Sequence, residues 1–75
     1  MSEKVPRLTA SQAIKVVGQA GFVLARQSGS HKIYKNEKGI RITIPFHKGK
    51  TLHPKIVKSI MKDAELTTTA LRALL

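Results

Sequence analysis

Ser28-Gly-Ser-His31-Lys-Ile-Tyr-Lys35-Asn36-Glu-Lys-Gly39-Ile40-Arg-Ile-Thr-Ile44-Pro45 is the stretch whose reading decides the fold. Ser28-Gly29-Ser30 is a turn, because Gly29 can take a positive φ without steric cost. After it, His31, Ile33 and Lys35 alternate with Lys32 and Tyr34, the period of a strand. Asn36 to Gly39 reads as a hairpin loop with Gly39 near the left-handed position. Ile40-Arg-Ile-Thr-Ile44 is the cleanest strand in the chain, with three isoleucines inward and Arg41 and Thr43 outward. Pro45, which has no N–H to donate, ends its ladder. Parity favours Ile33 as the inward residue of the middle strand. That choice sets His31 on the helix-side rim and sends Lys32, with Arg41, to the face opposite the isoleucines.

Working outward, Phe22-Val-Leu-Ala-Arg-Gln27 supplies a first strand. Before it, Thr9 followed three residues later by Gln12 matches a capping box and starts a helix. Ala13, Ile14, Val17 and Ala20 form the apolar face of that helix, and Gly21 stops it. Residues 1–8 read as a loose lead-in. Beyond the strands, Phe46 to Leu52 is a basic connecting loop. Pro54, harmless in a first turn, opens a second helix with the stripe Ile56, Val57, Ile60 and Met61. Thr67 caps a last short helix carrying Ala70, Leu71, Leu74 and Leu75. The expected fold is α+β, in the order α-β-β-β-α-α. It is a small three-stranded antiparallel sheet with helices on one face, the economical way to bury both stripes and the isoleucines.

The chain has 75 residues and no cysteine, so its core must be apolar packing within a single domain. No run approaches the roughly 20 apolar residues of a membrane span. The first eight residues lack the apolar segment of a signal peptide, and a cytoplasmic location is expected. Fourteen Lys and Arg against four Asp and Glu give a formal net charge of +10, which calls for a polyanionic partner. Ten of these cations lie between Arg26 and Lys62, with Glu37 the one acid among them. Arg26, Lys32, Arg41, Lys48 and Lys50 are candidates for phosphate contacts. Aromatic residues are scarce, which suits a structured or double-stranded RNA held through phosphates and sugar hydroxyls better than a stacked single strand.

Catalytic options are few. Glu3, Glu37, Asp63 and Glu65 are scattered and form no acid–base pair or hard-metal cage. No Walker-type or dinucleotide-binding glycine motif is present. His31, His47 and His53 match no zinc spacing, so neither a metal nor a cofactor is expected. His31 opens a strand at a rim, where an imidazole could remove a ribose 2′-hydroxyl proton while nearby cations steady the phosphate. On composition and spacing alone, a plain strand-end histidine is the better fit. His53, at the start of the second helix, reads as a capping or surface residue.

Gly21-Phe22 after a capped helix, then Arg26-x-x-Gly29-Ser30-His31-x-x-Tyr34, Ile42-Thr43-Ile44-Pro45-x-His47 and a closing Lys-rich helix together resemble the HicA (YcfA-like) family. That family comprises toxins of type II toxin–antitoxin pairs, and the likeness runs from about Thr9 to Leu75. It implies a fold like a double-stranded-RNA-binding domain and an mRNA interferase activity. The implied enzyme is a metal-independent endoribonuclease whose catalytic histidine maps onto His31, with Ser30 beside it. It also implies an inhibitory HicB-like antitoxin partner. His47, in the Pro-x-His stretch, is a candidate for RNA contact or for protonating the leaving oxygen. Two other readings remain: a non-catalytic RNA-binding module of the same architecture, and a basic surface that docks an acidic protein.

Overall fold

In the computed structural model, which describes residues 5–75, the capping box forms as the sequence indicates. The Thr9 hydroxyl accepts the Gln12 N–H at 3.2 Å, and the Gln12 side chain accepts the Thr9 N–H at 2.9 Å. Two donors that the first helical turn would leave orphaned are thereby satisfied, an arrangement worth about 1 kcal/mol. Helix α1, Ala10–Gln19, follows and buries Ala10, Ala13, Val16 and Val17. Val16 thus joins the face expected from Ala13 and Val17, while Ile14 and Ala20 flank it half-buried. Gly21, at φ +95°, turns the chain out of the helix.

Strands β1 (Val23–Ser28), β2 (His31–Lys35) and β3 (Arg41–Pro45) form an antiparallel sheet in the order β1-β2-β3. Gly29 and Ser30 make the first hairpin turn, with Gly29 at φ +57°. A bulge between Leu24 and Arg26 shifts the register of β1 against β2. In the second hairpin, the Asn36 carbonyl accepts the Gly39 N–H at 3.0 Å, and Gly39 sits at φ +82°. The Asn36 side chain also accepts the Lys38 and Ile40 N–H groups. This three-residue loop, a turn closed by a left-handed glycine, sets Tyr34 opposite Ile42 and Lys32 opposite Ile44.

That register corrects the expected facing of β2. Tyr34, not Ile33, enters the core. His31, Ile33 and Lys35 therefore start from the open face, and His31 reaches the helix-side rim only around the edge of β3. Lys32 shares its face with the isoleucines and not with Arg41. Its ammonium stands 4.4 Å from the centre of the Phe46 ring, a cation–π contact that accommodates a charge there.

Helix α2, Pro54–Asp63, starts with Pro54 at its first position and buries Val57, Ile60 and Met61. Helix α3, Thr68–Ala73, is capped by the Thr67 hydroxyl, which accepts the Ala70 N–H at 3.0 Å, and it drives Leu71 fully into the core. Both long helices pack against β3. The core they enclose includes Leu8, Val16, Val17, Ile44, Val57, Ile60 and Leu71, all essentially inaccessible. Leu8 falls within the stretch read as a lead-in. Its carbonyl accepts the Leu52 N–H at 2.7 Å, and Thr9 bridges Thr51, so the chain is fastened to the body just before α1. Residues 1–4 of that lead-in lie outside the described residues. No helix among the described residues is long and apolar enough to cross a membrane.

Candidate functional site

Side chains alternate across a strand, so the pairings assign every open-face residue. Three rows cross the sheet there: Ser28–His31–Pro45, Arg26–Ile33–Thr43 and Val23–Lys35–Arg41. His31 thus shares a surface with Arg26, Lys35 and Arg41. Lys35 and Arg41 stand directly opposite each other, a like-charge pairing that costs stability unless an anion lies near. None of these three cations meets a carboxylate among the described residues.

His31 is placed by its neighbours on both sides. The Gly29-Ser30 turn delivers it as the first residue of β2, paired with Ser28. On the other side it faces Pro45, and the Phe46 N–H donates to the Ser30 carbonyl at 2.7 Å, locking the start of β2 to the end of β3. The ring is exposed and makes no hydrogen bond to another described residue. It lines a groove of about 310 Å³ at the outer edge of β3, together with Thr43, Pro45, Lys55, Ile56, Ser59 and Asp63. The outer edge of β3 is an unpaired sheet edge, so the groove lies where no further strand covers the sheet. The ring stands beside the Lys55 ammonium and the Ser59 hydroxyl, groups suited to a phosphate.

A second groove, of about 260 Å³, adjoins the first and shares Pro45 and Ile56 with it. His47, Lys50, Thr51, Leu52 and His53 complete its walls. Lys50 N–H donates to the His47 carbonyl at 3.1 Å, closing a turn in which Gly49 takes φ +78°. His53 caps α2, as its position suggested: its Nδ1 accepts the Lys55 N–H at 3.1 Å.

The structure therefore gathers some of the expected residues and separates others. His31, Arg26 and Arg41 share the open face, with Ser30 in the turn beside them. Lys32 lies on the opposite face. His47 and Lys50 line the second groove, apart from His31, and Lys48 is exposed in the turn between them and lines neither groove. Lys55, Ser59 and Asp63 were not singled out as site residues. Their spacing of four was the available signal, since it sets all three on one side of α2, away from the Val57–Met61 stripe.

A family model described as the HicA toxin of bacterial toxin–antitoxin systems matches residues 10–66, from the first turn of α1 to just past α2. The chain belongs to the HicA toxin family. The HicA match covers the whole sheet and every residue of both grooves, and it leaves out α3. No curated relative matches the chain. As a HicA toxin, it is one member of a toxin–antitoxin system, a class in which a partner is implied.

Proposed function

We propose that this HicA toxin is an endoribonuclease acting on mRNA, with His31 as its general base. The observation that carries the reading is the exposed His31 ring on the cationic face of the sheet, lining a groove with Lys55 and Ser59. With a ribose against that ring, Nδ1 or Nε2 takes the 2′-hydroxyl proton. The 2′-oxygen attacks the adjacent phosphorus, and the bond from phosphorus to the 5′-oxygen breaks. The products are a 2′,3′-cyclic phosphate and a 5′-hydroxyl, whose proton comes from water, to which the groove is open. Lys55 offsets the charge that grows on the phosphoryl oxygens. Arg26, Lys35 and Arg41 hold neighbouring phosphates, so affinity falls steeply with salt as counterions are released. The chemistry as written needs no metal.

A HicB-like antitoxin is the partner this reading implies. With a toxin of +10, a partner of opposite charge lying over the His31 face would both block the groove and be drawn to it.

His31→Ala tests the assignment. The side chain is exposed and holds nothing in the core, so the variant should fold as the parent does. With a chelator present, wild type cleaves RNA and arrests growth on expression, and the variant does neither. A well-folded His31→Ala protein that still cleaves would refute the nuclease mechanism. If it still binds RNA, and purified wild type never cleaves, the chain is an RNA-binding module.

A further inference from the structure

We propose that the second groove is a nucleobase subsite: it seats one unpaired base of the RNA strand whose ribose lies at His31. The inference rests on the nuclease reading above for its ligand, but on separate residues for its recognition. The groove is small for a ligand cleft, below the roughly 300–1,000 Å³ that holds a drug-sized molecule. One planar ring system suits it, and a helix of RNA does not.

Its walls are chemically divided. Pro45, Leu52 and Ile56 offer apolar surface, and His47 and His53 bring two flat imidazoles. Lys50 and Thr51 provide a cation and a hydroxyl at the same site. Apolar contact, ring stacking and a single charge are what an unstacked nucleotide needs. The first groove places Lys55, Ser59 and Asp63 beside His31, groups that suit sugar and phosphate.

His53 carries the clearest signature. Its Nδ1 accepts the Lys55 N–H, which fixes the ring's position and leaves the proton of the neutral imidazole on Nε2. A ring already held by a cap loses little freedom when a base stacks on it. One face and an N–H donor then remain for a ligand. The Pro45–Ile56 ridge common to both grooves, with Pro45 as the cross-strand partner of His31, joins the two sites into one track. A strand with its ribose at His31 delivers the neighbouring base across that ridge. The substrate must therefore be single-stranded at the cleaved position, which revises the preference for double-stranded RNA that scarce aromatics suggested: imidazoles replace aromatic rings here.

Binding of a non-cleavable 2′-O-methyl single strand tests this independently of catalysis. Its partner probe is a strand of the same length and phosphate count without bases. His53→Asn is the informative variant, because asparagine preserves a helix N-cap while removing the ring. His47→Asn serves as its companion. Each should weaken the base-bearing strand about tenfold and leave the baseless strand unchanged. Equal losses on the two probes, or none on either, would overturn the subsite. Failure of His31→Ala to abolish cleavage would fall on the nuclease reading alone and leave this coupling intact.

Discussion

β1 and β3 are the two edges of one sheet, and they are held very differently. β3 alternates exposed and buried residues, and both long helices rest on it. β1 is exposed at all six positions, with Val23 at 68%. One row across the sheet shows the gradient: Leu24 on β1 is 49% exposed, Tyr34 on β2 7% and Ile42 on β3 2%. The helices thus cover the β2–β3 half, and β1 overhangs them. Both grooves open at the firmly packed edge. There, Ile42, Ile44 and Ile60 anchor the walls on which His31, Lys55 and His53 stand. β1 contributes less by packing than by what it presents, namely Arg26 and the turn that delivers His31.

The largest expected effect breaks that comparison in the core. Ile44→Ala should cost about 2–5 kcal/mol, the range for truncating a fully buried isoleucine. Leu24→Ala should cost under about 1.5 kcal/mol, since only part of its burial worth is present in the folded state. Denaturant unfolding of the two variants measures both. Equal losses would show that β1 is packed as firmly as β3.

A smaller effect sharpens the middle of the same row. Burial pushes the Tyr34 phenol above its ordinary value near 10.0, because the phenolate would be poorly solvated in the fold. The neutral form is thus favoured in the folded chain. The resulting stability is intact below the ordinary value and is lost as pH climbs through the raised one. Tyr34→Phe cannot ionise. From about pH 9 to about pH 11, wild type should lose more stability than Tyr34→Phe does. Parallel declines would mean that the Tyr34 hydroxyl ionises as freely in the fold as out of it.

Local chemistry was legible in the sequence wherever one turn of chain contained it. Thr9 with Gln12, Thr67 with Ala70, and Gly21 after α1 each solve a backbone problem within three or four residues, and each was readable. The facing of β2 was harder, because Ile33 and Tyr34 are both apolar and alternation cannot choose between them. The choice lay in the Glu37–Gly39 loop: its three-residue length pairs Tyr34 with Ile42, and Lys32 follows Tyr34 to the inner face. Leu8 was hidden for a different reason. It stands with Val5 in an otherwise polar stretch without helical or strand period, and its backbone is tied to Leu52, far along the chain. His31 stood out as a candidate through its strand-opening place and its motif. The grooves did not, because they arise where the β3 edge meets α2, a juxtaposition that exists only in the folded chain.

Removing a single oxygen from the substrate tests most directly whether a ribose proton passes to His31. Two RNA strands would be compared with chelator present, identical except that one carries 2′-deoxyribose at the mapped cleavage position. The account predicts a 2′,3′-cyclic phosphate end from the first strand and no cut at that position in the second. Cleavage of the deoxy linkage at a comparable rate would contradict it.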